Sequence, residues 1–513
     1  MFANVLTASI QGMEVCPVQV EADVSDGLPS FTMVGFPSAQ VREAQDRVRT
    51  ALKNNGIALP PRRITVNLAP ADIRKEGAGF DMPVAAALLA AAGIFKPELL
   101  KGIMMAGEIS LNGEIRGISG ILPMVIKARE EGLRFCMIPW ENLREGRLIE
   151  DIPVIGVKNL EEMIRFLKDP ESFQNSREQE IVSERDETSN ENTDALDFSD
   201  IRGQESVRRA VEIAVSGFHN ILLIGPPGAG KTMIARRIPT ILPELTFEEG
   251  LELTKIYSIS GLLSREQPFI KMRPFRSPHH TCSPQALAGG GKNPRPGEVT
   301  LAHRGVLFLD EMPEFSRRSL EILRQPLEDR NIHISRVNGN YEFPAGFILC
   351  AAMNPCPCGH YPDMNLCRCT AGEVAHYLGK ISQPLLDRID LCADVSPVGF
   401  AEISKCKRGE CSADIRKRVE AVHQIQKERY HEEKYSFNGE LKSSGVEKYC
   451  RMTPEASALL QKAFDTISLS ARSYHRILKV ARTIADMEGE EMIVSGHVAE
   501  ALSYRAFDKK YWS

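Results

Sequence analysis

The stretch Gly225-Pro226-Pro227-Gly228-Ala229-Gly230-Lys231-Thr232 follows Asn220-Ile221-Leu222-Leu223-Ile224 and precedes Met233-Ile234-Ala235-Arg236-Arg237. The apolar run reads as a buried strand and the segment after the glycines as a helix, which is the setting a phosphate-binding loop requires. Glycines let successive main-chain N–H groups converge on a phosphate with no Cβ in the way, and the helix N-terminus adds partial positive charge. In this reading Lys231 reaches the β- and γ-phosphates of ATP, and the Thr232 hydroxyl ligates Mg2+.

Further along, Gly305-Val306-Leu307-Phe308-Leu309-Asp310-Glu311 is an apolar strand ending in two acids. A central parallel strand is covered on both faces and so reads as continuously hydrophobic. Carboxylates at its C-terminal end then emerge at the ligand crevice. Asp310 is expected to hold Mg2+ through its water shell, and Glu311 to act as general base on the attacking water. A third apolar run, Gly346 to Met353, ends at Asn354. A neutral amide there could sense the γ-phosphate, although asparagine before Pro355 is also an ordinary turn former.

A chain of 513 residues exceeds what one hydrophobic core supports, so several domains are expected. Residues 171–199 hold charged and polar residues almost without large apolar ones and read as a flexible acidic linker. It would separate an N-terminal domain (1–170) from a nucleotide-binding core (200–400) and a helical C-terminal part (401–513). In the last, Ala413 to Arg429 is charged and periodic, and Ile477, Leu478, Ala481 and Ile484 share one helical face. Alternating strands and helices in the core predict a parallel sheet flanked by helices.

The net charge of −5 means that nucleic-acid contact would have to come from local basic patches. Met82 to Phe95 is too short and alanine-rich to span a bilayer and reads as a buried helix, so no membrane partner is expected. The first residues, Met1-Phe2-Ala3-Asn4, lack the basic and apolar regions of a signal peptide. Twelve cysteines, four of them within 356–369, fit a reducing cytoplasm with a metal site better than a disulfide framework. Those four, Cys356, Cys358, Cys367 and Cys369, form two CxC pairs that could close a tetrahedral zinc site on a short loop. Reduced thiols and an iron–sulfur cluster are the alternatives.

Taken together, the phosphate loop, the Leu307-to-Glu311 strand, Asn354, Leu385-Leu386-Asp387-Arg388-Ile389-Asp390 and Leu469-Ser470-Ala471-Arg472 resemble the AAA+ ATPases of the magnesium-chelatase-like group. The resemblance implies that Arg388 is an arginine finger given to a neighbouring subunit's ATP, and that Arg472, on a C-terminal helical lid, is a sensor arginine acting on its own subunit's nucleotide. A guanidinium suits both roles because it forks onto phosphate oxygens and keeps its proton. Spacing alone would make either arginine a surface or ion-pair residue. A site built from two subunits further implies a homo-oligomeric ring, usually a hexamer.

Longer strings, Pro274-Phe275-Arg276-Ser277-Pro278-His279-His280, Leu287-Ala288-Gly289-Gly290-Gly291 and Pro313-Glu314-Phe315-Ser316-Arg317, resemble the ComM/YifB competence-type branch, over nearly the whole chain. That branch implies ATP-driven helicase or branch-migration activity on single-stranded or branched DNA during natural transformation and homologous recombination. Gly107 to Ile121 and Lys75 to Asp81 resemble the Lon protease domain, so the N-terminal part is expected to be an α+β domain of that type (ribosomal S5 domain 2-like). The positions of the Lon serine and lysine hold Gly79 and Leu122, so acyl-transfer chemistry lacks both nucleophile and base. Lys75 and Arg74 beside that loop read as a solvated face, with phosphate contact as the competing reading.

Arg273, Arg276, His279 and His280 fall on an insert where the family carries hairpins facing the ring pore, and are candidate DNA contacts; a plain loop is the competing reading. A second basic patch, Lys405 to Arg408 with Arg416-Lys417-Arg418, reads as a solvated helical surface. Two other functions stay open, a chelatase motor subunit that remodels a metal-inserting partner, and a protein-remodelling ATPase.

Overall fold

The computed structural model describes residues 1–170, 196–291, 294–336, 339–397, 409–467, 471–505 and 511–512. They form two compact units. Most of the expected linker, and Lys405 to Arg408, lie outside the described residues.

The first unit holds a seven-stranded mixed sheet with β1 (Phe2–Gln11), β2 (Glu14–Ser25), β3 (Ser30–Val34), β4 (Arg63–Ala69), β5 (Ile103–Met105), β6 (Phe135–Pro139) and β7 (Val154–Val157) in the order β3-β4-β2-β1-β5-β6-β7. β1 and β2 pair antiparallel along their full length, whereas β5, β6 and β7 run parallel. Strand β4 alternates buried Ile64, Val66 and Leu68 with more exposed neighbours, the period-two pattern of a half-buried sheet face. Of the alanine-rich run Met82 to Phe95, expected to be a buried helix, Met82 to Ala91 is helical and fully buried, and the helix ends before the exposed Gly93 and Ile94. Asp81 at its start tolerates full burial because Arg47 clasps both carboxylate oxygens at 2.8 Å and Ile109 N–H adds a third bond. Among the described residues no helix is long and apolar enough to cross a membrane.

Residues 250–270 cluster with this first unit and not with the nucleotide-binding part in which the 200–400 boundary places them. Leu251 packs into the cluster of Ile121, Leu122 and Val125, Gly120 N–H donates to Ser258 O at 3.0 Å, and Arg265 pairs with Glu141 at 2.8 Å. A contiguous boundary drawn on composition has no access to such long-range contacts.

The second unit is built on five strands, β8 (Ile221–Ile224), β9 (Phe275–Arg276), β10 (Val306–Leu309), β11 (Ile348–Met353) and β12 (Leu391–Asp394), in the order β9-β10-β11-β8-β12, with every pairing parallel. All residues of β8, β10 and β11 are buried, as a sheet covered on both faces demands. The strand order reverses between β8 and β11, and such a switch point opens a crevice at the strands' C-terminal ends. Helices Ser412–Arg429 and Ala471–Glu488 contribute to the same hydrophobic core as the strands, through Ile415, Val419, Ile477 and Ile484. The last residues of the expected linker are folded here: Phe198 is fully buried in this core and its N–H donates to Ser412 Oγ at 2.7 Å.

At the other end of the sheet, Asn220 fastens three strands. Its amide oxygen accepts from Leu349 N–H at 3.0 Å, its amide nitrogen donates to Arg388 O at 2.9 Å, and its own N–H donates to Asp390 at 3.1 Å. His423, on the 412–429 helix, contacts Val215 O through Nε2 at 3.0 Å and packs on Phe437, and burial pushes its pKa down to about 4. A histidine kept neutral by the fold takes up its proton more readily when unfolded, so its contribution is full above about pH 6.5 and is lost as pH falls toward about 4. Stability measured by denaturant titration should decline over that interval, and His423→Gln should flatten the decline.

Candidate functional site

The phosphate loop leaves β8 at the switch-point crevice. Gly228 and Gly230 take φ of +76° and +91°, conformations open to glycine and strained for other residues. The helix Lys231–Ile241 starts at once, so its free N–H groups face the loop. Pro227 to Met233 line a cleft of about 340 Å3 with Asp310, Glu311 and Asn354 on its far wall. Gly225 and Pro226 lie at the base of the loop, where both carbonyls accept from Lys231. The eight loop residues, both acids and the asparagine singled out in the sequence therefore meet at one place.

The Lys231 ammonium is buried and donates to Gly225 O at 2.7 Å, Pro226 O at 2.9 Å and Asn354 Oδ1 at 3.0 Å. Three acceptors match its three donors. Burial lowers its pKa, while Asp310 and Glu311 act to raise it. Thr232 Oγ1 donates to Asp310 Oδ2 at 2.8 Å, which sets a hydroxyl and a carboxylate side by side with the hard oxygens Mg2+ prefers. Glu311 follows with φ of +50° and ψ of +48°, a conformation that costs a non-glycine residue about 1–3 kcal/mol. Its side chain stands exposed at the cleft, as a base that must reach a water would. His280 Nδ1 lies 3.9 Å from Glu311 Oε2, a proximity with no sequence signal because an insert separates the two.

The two arginines assigned by resemblance are elsewhere. Arg388 sits beside Asn220, at the N-terminal end of β8, and its guanidinium contacts Glu328 and Pro384 O. A four-residue strand, roughly 13 Å long, separates it from its own phosphate loop. Arg472 is exposed and lies 3.8 Å from Asp387, the residue before Arg388. The expectation that Arg472 acts on its own subunit's nucleotide therefore does not fit its position; it shares an end of the sheet with Arg388. The sequence could not show this, because β12 and the 471–488 helix meet only in the fold.

Two of the candidate DNA contacts are also engaged internally. Arg273 is largely buried and donates to Pro243 O, Arg304 O and Glu249, and Arg276 forks onto both oxygens of Glu298 at 2.7 and 2.8 Å. Their basicity holds loops together. His279 and His280 stack with ring centroids 4.1 Å apart, and His279 Nδ1 meets Thr281 Oγ1. In the second patch Arg416 donates to Thr240 O and Arg418 forks onto Glu212, leaving Lys417 in solvent. In the first unit Lys75 is fully buried and donates to Pro70 O, which corrects its reading as solvated; Arg74 pairs with Glu76. Leu122, at the Lon lysine position, is fully buried in an apolar cluster.

The sulfur atoms of Cys356, Cys358, Cys367 and Cys369 all lie within 4.8 Å of one another, with 3.4 Å between Cys356 and Cys358, 3.8 Å between Cys356 and Cys367 and 3.6 Å between Cys358 and Cys367. A tetrahedron of thiolates around one zinc, with bonds of about 2.3 Å, has edges of about 3.8 Å. The geometry fits a single ion, and a polynuclear iron–sulfur cluster would set its thiolates farther apart on separate metal atoms. Main-chain N–H groups of His360 and Arg368 pull the Cys358 thiol down to about 6, and Tyr361 N–H points at Cys356 Sγ from 3.4 Å.

Comparison with known proteins agrees with this site. Family models described as magnesium chelatase subunit ChlI match residues 197–403, as subunit ChlI of Mg-chelatase residues 20–142, and as the ChlI C-terminal part residues 409–505. The competence protein ComM of Haemophilus influenzae is 43% identical over 508 residues, covering 98% of this chain and 97% of that one. The chain belongs to the magnesium-chelatase-like family of ComM and YifB. The YifB protein of Salmonella typhimurium is 41% identical over 509 residues, 99% of this chain and 97% of its own. Lon protease 2 of Bacillus subtilis is similar over a shorter stretch, 28% identical across 145 residues, 27% of this chain and 26% of the protease. Membership of this family points to AAA+ ATPase chemistry, and the loop, the acids and Asn354 stand together in the one cleft.

Lys231→Ala should weaken nucleotide binding measured by titration of a fluorescent ATP analogue. Glu311→Gln should still bind ATP while hydrolysis falls by about 10²–10⁴-fold. Normal turnover in Glu311→Gln would reassign the base.

Proposed function

We propose that the protein is an ATP-hydrolysing ring motor that moves on single-stranded or branched DNA, serving as a helicase or branch-migration enzyme in natural transformation and recombination. The observation that carries the ring is the distance between Arg388 and its own phosphate loop. A guanidinium at the far end of the sheet serves catalysis only when a second copy brings it to the first copy's nucleotide. Arg472 lies beside it, so both arginines are proposed to act across the same junction, stabilising charge on the transferred phosphoryl group. Thr232 and Asp310 would hold Mg2+, Glu311 would take the proton of the attacking water, and Asn354 would orient that water.

A role on DNA draws support from a near full-length relative named for competence. Contacts that do not depend on base identity would suit such a motor. His279 and His280 remain candidates. Arg336, exposed at the end of the hairpin strand Asn331–Arg336, donates to Gly291 O and Ser335 O and is a further candidate. We assign the first unit a Lon-like fold without peptidase activity and the C-terminal helices a lid role, and place the protein in the cytoplasm. The four cysteines are proposed to hold one structural zinc.

The chelatase-motor reading is favoured by the family descriptions, whereas the near full-length relative named for competence favours a role on DNA. Two measurements test the proposal. Mixing Arg388→Ala with Lys231→Ala subunits should restore part of the ATPase activity that each lacks, and absence of rescue counts against a shared site. Single-stranded or branched DNA should raise ATP turnover severalfold, whereas indifference to DNA with stimulation by an unfolded protein would favour a remodelling ATPase.

A further inference from the structure

The cysteine knuckle lies against the phosphate loop. An ideal Cβ built on Gly359, the residue after Cys358, would fall 2.4 Å from Cδ and 3.1 Å from Cγ of Pro227. No side chain fits there, so knuckle backbone rests directly on the loop's second proline. Gly359 also has φ of +84°, which glycine alone adopts freely. On the other flank, Cys356 follows Asn354 by two residues, and the Asn354 amide accepts from Lys231. Beyond the second cysteine pair, Thr370 and Glu373 form a capping box that starts the helix Ala371–Leu378. Tyr377 on that helix is buried, with its hydroxyl at the main-chain N–H of Asn354. The knuckle's turn thus packs on the phosphate loop, and the segments leading out of it at both ends run to or against Asn354.

Turn hydrogen bonds within the knuckle, Gly359 N–H to Cys356 O at 3.0 Å and Cys367 N–H to Asp363 O at 2.8 Å, shape it only locally. Residues 355–370 contain neither helix nor strand, and Met364 and Leu366 project into solvent at 72% and 59% exposure. The convergence of four sulfur atoms is what joins its two ends. Thiolates so close repel one another unless a cation lies between them, so the loop's conformation and metal binding are one equilibrium. Soft thiolates in a tetrahedron suit zinc, which needs no redox partner.

We infer that the knuckle is a zinc-dependent clamp on the phosphate loop, so that metal held outside the nucleotide cleft sets nucleotide affinity. This rests on the zinc assignment proposed above and goes beyond it, because a merely structural zinc need not influence the cleft. Removal of the ion would free Gly359 from Pro227 and loosen Asn354 at Lys231 together.

The test uses the full-length chain, purified under reducing, anaerobic conditions, with zinc measured by plasma mass spectrometry and affinity by titration of a fluorescent ADP analogue. One zinc per chain is expected. Stripping it with a mercurial and chelator should lower ADP affinity by about tenfold, the range seen when support around a metal site is lost, and added Zn2+ should restore it. Gly359→Ala should keep zinc yet bind ADP severalfold more weakly. Gly372→Ala, where a Cβ meets nothing within 4 Å, should match the parent chain. Zinc present but without effect on ADP affinity when removed would overturn the clamp and leave the metal assignment standing. Protein free of zinc throughout would overturn both. Should Gly359→Ala fail to fold, the strip-and-restore measurement on the parent chain still decides.

Discussion

The buried ammonium of Lys231 is the constraint around which the second unit is organised. A cation withdrawn from water needs its donors satisfied, and here two carbonyls of the phosphate loop and the amide of Asn354 do so. Those partners come from the ends of β8 and β11, which lie side by side only because the strand order reverses between them. Burial of the apolar strands sets the sheet, the sheet sets the crevice, and the crevice gives the lysine its partners. The hydrogen bond from Thr232 to Asp310 repeats the logic across to β10.

A parallel sheet has two unlike ends, and the protein uses both. Groups that face nucleotide gather at the C-terminal ends of the strands. At the N-terminal ends Asn220 and Asp390 tie β8, β11 and β12 together and fix the backbone that carries Arg388. Burial opposes the charge on Asp390, but His219, Arg476 and Lys479 outweigh it and hold the carboxyl well below the usual range. The arginine is thereby presented on a rigid mount, away from the nucleotide of its own chain. Under the roles proposed above, separation of Arg388 from the phosphate loop by the length of the sheet is the physical basis of the ring proposal.

Strain and support also sit where chemistry is expected. Glu311 adopts a left-handed backbone conformation directly after Asp310, which aims the second carboxylate away from the strand and into the cleft. The knuckle meets the loop at Pro227, a residue whose ring offers a flat, stiff surface for packing. In the first unit the Lon-like positions show the converse. Leu122 is sealed in an apolar cluster, and its N–H is taken by Glu145 at 2.9 Å.

Much of this was legible in the linear sequence, for identifiable reasons. The phosphate loop, the Asp310-Glu311 pair, Asn354 and the paired cysteines are local patterns whose spacing reports their chemistry, and full burial of β8, β10 and β11 follows from unbroken apolar runs. Local pattern failed where function depends on partners distant in sequence. Arg273 and Arg276 read as free cations until Glu249 and Glu298 met them, and Lys75 read as solvated until the fold enclosed it. Arg472, expected to act on its own subunit's nucleotide, stands beside Asp387, and residues 250–270 cluster with the first unit. Sequence alone determined which groups can bind phosphate, magnesium and a soft metal, because those abilities belong to the side chains. Tertiary structure decided which groups stand together and which are spent on internal bonds, because both depend on distances between segments that composition and periodicity do not encode.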